Sequence, residues 1–150
     1  MSQHADEPIM VGTIEVRFLV EPAASAGSVS MFEVRVPGDA KVPAPHSHEA
    51  FDETIYGLEG TLTLTVDGAV IELGPGEVVH IPRGVIHGFE ALDGDTAMLA
   101  VATPGALGPA YFRELGAVLA AAAAAGGPPD RAAMADVMQR HGLTPAAPAT

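Results

Sequence analysis

At 150 residues the chain has room for one domain with an appendage, and for a core that removes roughly two thirds of its unfolded surface from water. Hydrophobic residues make up 48% and charged residues 17%, which excludes a disordered chain. Seven Lys and Arg against 19 Asp and Glu leave a formal charge of −12, which excludes nucleic acid and an anionic membrane surface as expected partners.

Cysteine is absent, so disulfides, thiolate metal sites, iron–sulfur clusters and cysteine nucleophiles are excluded together. That composition fits a cytoplasmic protein. No apolar run approaches the ~20 residues of a membrane span. With two Tyr, five Phe and no Trp, no stacking platform for bases or sugars stands out.

The first segment, residues 1–8, reads as a polar tail unlike a secretory signal, with His4 solvated in it. Residues 9–104 read as all-β. Thr13 to Val20 is rich in β-branched and apolar residues, and Met31 to Val36 alternates apolar and charged. Thr61 to Val66 alternates strictly, Asp67-Gly68 follows, and Ala69 to Leu73 resumes the pattern. A DG pair between two such runs predicts a hairpin, because a type I′ turn needs positive φ at both central positions. Glu77 to Ile81 is a further strand, stopped by Pro82-Arg83-Gly84, and Ala97 to Thr103 is the last. Short strands separated by regular turn signals predict a sandwich or barrel.

Residues 105–150 read as a helical extension packed on the barrel or on a partner subunit. Gly108 to Ala125 carries Phe112, Leu115 and Leu119 at helical spacing and is stopped by Gly126-Gly127-Pro128-Pro129. A second helix is expected from an Asp130 N-cap through His141, with Gly142 as terminator and Met134, Val137 and Met138 as its apolar stripe. His141 suits the negative end of that helix, and Thr144 to Thr150 reads as a frayed tail.

The chemistry concentrates in Pro45-His-Ser-His-Glu-Ala-Phe-Asp-Glu53 and in His87 after the Pro82-Arg83-Gly84 turn. His46 and His48 are two apart, so on a strand they share a face. Imidazole with carboxylate suits Fe, Mn, Co, Ni, Zn or Cu. Three neutral imidazoles and one carboxylate leave a net +1 on a divalent ion. On a six-coordinate ion they leave two positions open, as metal catalysis requires. Asp52 is a rival to Glu53 as the carboxylate. His80 is either a support to the site or strand filling. Tyr56, Arg83 and Phe89 are candidates to line a pocket, with ordinary packing as the alternative; Asp39 and Lys41 read as a solvated loop.

These residues resemble the cupin superfamily, whose motifs are G-x5-HxH-x3,4-E-x6-G and G-x5-PxG-x2-H-x3-N. Here the first reads Gly38, His46-Ser47-His48, Glu53, Gly60; the second reads Gly76, Pro82-Arg83-Gly84, His87, Ala91. Gly38 lies seven residues before His46 rather than five, and Ala91 replaces the final asparagine, which is not a metal ligand in the family. The resemblance covers about residues 30–103. It implies a small jelly-roll barrel with the metal inside, held by His46, His48, Glu53 and His87. It also implies one divalent transition metal per chain, Fe(II) foremost.

The resemblance further implies a dioxygenase of the quercetin dioxygenase-like kind. Its substrate would be a small enolic or phenolic molecule, with dioxygen as co-substrate. Glu53 would be the catalytic residue, staying a ligand or swinging away as a base. The alternatives are an isomerase, cyclase or decarboxylase using the ion as a Lewis acid, or a non-enzymatic binding module. Many such proteins are homodimers, so a homodimer is expected.

Overall fold

The computed structural model describes residues 7–147; the expectation for His4 lies outside them. Among these residues eleven strands and two α-helices follow in order: β1 (Ile9–Val11), β2 (Ile14–Val20), β3 (Ser30–Val36), β4 (His46–His48), β5 (Asp52–Glu59), β6 (Leu62–Val66), β7 (Ala69–Leu73), β8 (Val78–Ile81), β9 (His87–Glu90), β10 (Thr96–Thr103), α1 (Pro109–Ala124), α2 (Arg131–Arg140) and β11 (Leu143–Pro145). One sheet runs β1-β2-β3-β10-β5-β8 and the other β11-β4-β9-β6-β7. All pairings are antiparallel. The fold is a jelly roll of two facing sheets, and among the described residues no ladder joins them into a closed barrel.

The alternation in sequence becomes an inner and an outer face. In β6, Leu62 and Leu64 are buried while Thr63 and Thr65 are not, and β2 buries Ile14, Val16 and Phe18 in the same rhythm. Burying each such side chain stabilises the fold by about 1.5–3 kcal/mol. Asp67 and Gly68 take φ of 49° and 79°, the type I′ turn that the DG pair predicts between β6 and β7.

The C-terminal segment contributes to this core. Pro109 opens α1, where its missing N–H is no loss, and Gly126 at φ 67° lies just beyond its end. Asp130 caps α2 by accepting from the Ala133 amide at 3.0 Å. The Phe112 ring stands 5.8 Å from that of Phe18 and 5.2 Å from that of Phe32, so α1 lies on the inner side of the first sheet. No helix among the described residues is long and apolar enough to cross a membrane.

One expectation is corrected. Thr144 and Pro145 are not frayed: with Leu143 they form β11, an edge strand on β4, where Leu143 faces His48 and Pro145 faces His46. Leu143 is buried and anchors the strand. Proline is tolerated there because an edge strand can spare an N–H.

Candidate metal centre

The turn Pro82-Arg83-Gly84 orients the site. Gly84 at φ 82° lets the chain reverse, and its amide donates to the His48 carbonyl at 2.7 Å, tying the turn to β4. Three residues on, His87 begins β9 and sits opposite His46 across the ladder. His46 and His48 point inward together, as their spacing requires; Ser47 between them points away and donates to Glu49 Oε1 at 2.6 Å.

The three imidazole rings therefore converge. Ring centroids are 5.0 Å apart for His46 and His48, 4.8 Å for His46 and His87, and 4.6 Å for His48 and His87. One nitrogen from each lies within 4.8 Å of the others, so the three buried histidines can hold a metal ion. Glu53 enters from β5 in the opposite sheet. Its Oε2 is 3.3 Å from His87 Nε2 and 3.5 Å from His48 Nδ1.

Two of the rings are pre-set for ligation. His46 Nδ1 donates to the Ala44 carbonyl at 2.8 Å, and His87 Nδ1 donates to the Val85 carbonyl at 2.9 Å. A proton held on Nδ1 leaves the Nε2 lone pair free. The approach of Glu53 to His87 Nε2 lacks hydrogen-bond alignment, so that nitrogen is buried without a partner. An orphaned buried nitrogen costs about 1–3 kcal/mol, and a bound cation is the partner that its lone pair fits. His48 is braced differently, stacked on Phe51 at 4.3 Å.

The electrostatics agree with this donor set. Burial lowers His46, outweighing the Ala44 carbonyl, and brings His48 down to about 4. Burial also pulls on His87, but contact with the Glu53 carboxylate and the Val85 carbonyl raises it. Burial pushes Glu53 up, yet the surrounding imidazoles hold it below the usual carboxylate range. His46 and His48 are thus kept neutral beside an ionised carboxylate, as ligation needs, while His87 has to release a proton for an ion to bind.

The other sequence candidates separate by face. Asp52 lies on the outer side of β5, where its Oδ1 accepts from Arg83 Nε at 3.0 Å. His80 also faces outward, half exposed, with Nδ1 2.9 Å from Thr54 Oγ1, so it does not support the site. Tyr56 is exposed, and neither it nor Arg83 lines the cavity; Phe89 does. His141 pairs with Glu114 between the helices, away from the three imidazoles. Sequence reasoning missed Tyr111, which also lines the cavity. Its signal was present: Tyr111 is four residues before Leu115, on the same helical stripe.

The cavity above the imidazoles has a volume of about 60 Å³, room for an ion with a few waters. Its walls are almost wholly apolar, and among the described lining residues there is no Lys or Arg.

Residues 32–103 match the family model described as "Cupin domain". A stretch of 71 residues, 47% of this chain, is 41% identical to the quercetin 2,3-dioxygenase of Bacillus subtilis, and it spans 21% of that protein's length. The polyketide cyclase RemF from Streptomyces resistomycificus superposes with a TM-score of 0.56 at 31% identity, covering 71% of this chain and 75% of RemF. KdgF from Halomonas sp. superposes with a TM-score of 0.57 over 68% of this chain and 86% of that one; at 22% identity this likeness concerns the fold alone.

Proposed function

The chain belongs to the cupin family, and on that premise we propose that it is a metal-dependent dioxygenase acting on a small enolic or phenolic molecule. One observation carries this reading: three buried imidazoles and the Glu53 carboxylate are the main polar groups of a cavity that is otherwise apolar and without cationic residues. A substrate carboxylate or phosphate buried there would have no Lys or Arg to balance its charge. A flat, mostly apolar molecule with one ionisable oxygen suits the chemistry of this lining.

His46, His48 and His87 would hold the ion with Glu53. When bound, a divalent transition metal supplies an electrophilic centre that acidifies an enol or phenol and leaves positions open to substrate and dioxygen. Glu53 Oε2, the oxygen facing His48 and His87, would ligate the ion, and on swinging away from it the carboxylate would accept the proton of the substrate hydroxyl. Phe89, Phe112 and Leu115 exclude water and fix the plane of the bound ring. The Ala44 and Val85 carbonyls hold His46 and His87 in their ligating orientation.

A second reading keeps the site and drops dioxygen: a cyclase or isomerase relying on the ion as Lewis acid. The 31% identity to a polyketide cyclase favours it. Oxygen uptake separates the two. The metal-loaded protein, offered small catechols and enolised diketones, is expected to consume dioxygen in proportion to substrate and to stop under strict anaerobiosis. Turnover unchanged without oxygen would overturn the dioxygenase reading in favour of the second.

A further inference from the structure

Tyr111 comes from α1, outside the stretch that matches the cupin family model, yet its side chain lines the same cavity as His46, His48, Glu53 and His87. Only 3% of the residue is exposed. Burial and the charge of Glu53 both raise its pKa, so the phenol stays protonated, and neither influence is a hydrogen bond. A buried Tyr hydroxyl ordinarily finds a partner. Here the ring is held by Phe112 at 4.9 Å and His141 at 5.7 Å, and among the described residues the hydroxyl has no hydrogen-bond partner.

The position of α1 is built in rather than incidental. A Cβ at Gly116 would come within 2.3 Å of the Met10 carbonyl oxygen, so helix and first strand touch backbone to backbone. His141 pairs with Glu114 and Arg140 bonds both Glu114 and Asp136, clasping α1 to α2 behind the ring. The wall that carries Tyr111 is therefore held in place beside the cavity that the imidazoles share.

We infer that Tyr111 is a specificity-determining residue of the cavity, donating its hydroxyl proton in a hydrogen bond to a second oxygen of the ligand, other than the one seated at the imidazoles. This rests on the proposed function, since it takes the ligand to be an enol or phenol seated at the imidazoles. It narrows the ligand to a compact apolar molecule with two separated oxygen functions, the first ionisable and the second a neutral acceptor such as a ketone or ether. A ligand lacking the second oxygen would leave the Tyr111 hydroxyl buried and unpaired, which is how a polar site rejects the wrong molecule.

The test uses holoprotein of measured metal content and two probes, 4-hydroxyacetophenone, with a phenol and a distant ketone, and 4-ethylphenol, its apolar counterpart. Wild-type protein is expected to bind the ketone about five- to tenfold more tightly, the worth of one hydrogen bond. Tyr111→Phe, which keeps the ring, is expected to erase that preference with metal content and melting temperature unchanged. Equal preference in wild type and Tyr111→Phe would overturn the role of Tyr111 and leave the proposed function standing. Failure of fully loaded wild-type protein to bind either phenol would overturn the proposed function and this inference with it. If Tyr111→Phe does not fold, 3-fluorotyrosine incorporated in a Tyr56→Phe background strengthens the remaining donor and must tighten binding of the ketone alone; an unchanged preference overturns the inference.

Discussion

His46 and His87 are a register pair across β4 and β9, and each anchors its Nδ1 on the carbonyl two residues earlier in its own chain segment, Ala44 at 2.8 Å and Val85 at 2.9 Å. The same local device, used twice on adjacent strands, presents two Nε2 atoms to one point. Replacing either ring by a methyl group removes a donor that nothing nearby can replace. His46→Ala and His87→Ala are each expected to weaken metal affinity by at least about a hundredfold, beyond the loss usual for an outer-shell partner. His141→Ala, at a residue that pairs with Glu114 and does not line the cavity, is expected to leave metal content unchanged. Elemental analysis of the purified variants reads both results, and full occupancy in His87→Ala would rule out ligation by that residue.

Much of this site is legible in the sequence because its ligands are local. The HxH pair needs only a strand, and the Pro82-Arg83-Gly84 turn needs only a positive φ to bring His87 back. What the sequence cannot resolve is which face of a strand looks inward when both faces carry apolar residues. His80 shows this: Val79 and Ile81 turn inward on β8, so His80 goes outward to Thr54 and Asp52. Long-range pairing is equally hidden. Leu143–Pro145 has too few residues for a period, and its strand exists only because β4 offers an open edge. Likewise the helical stripe of Tyr111, Phe112 and Leu115 announces burial but not that it walls the cavity.

Asp52 and Glu53 are neighbours in sequence with opposite surroundings, and exchanging each carboxylate for its amide separates their roles. Asp52 accepts from both the Arg83 amide and its guanidinium, which hold its pKa down on the outer face. Asp52→Asn is expected to retain full metal and full turnover. Glu53→Gln keeps the shape but loses the proton acceptor in the cavity. Its turnover is expected to fall about 10²–10⁴-fold, the usual worth of a general base, with metal affinity reduced by a smaller factor. Loss of metal from Asp52→Asn, with Glu53→Gln unaffected, would reverse the assignment of the carboxylate.

The metal-free protein is expected to lose stability on acidification through a window set by the imidazoles. His48 titrates near 4 when folded, against 6.5 unfolded. Between those values the unfolded chain binds more protons, so stability falls as pH drops through the interval and levels off below it. The full span corresponds to about 3 kcal/mol, and His46, also lowered, adds in the same direction. His87 has the opposite sign: its raised pKa contributes stability that is complete below 6.5 and is lost as pH rises through the folded value. The urea midpoint after chelation should therefore climb from about pH 4 to 6.5 and then decline. His48→Leu, which cannot titrate, should flatten the acid limb. With metal bound, the acid loss becomes steeper, because each imidazole that protonates also releases the ion and the stabilisation that its binding adds. A midpoint in chelator that does not change between about pH 4 and 6.5 would mean that the imidazoles titrate normally and are not desolvated as the closed cavity requires.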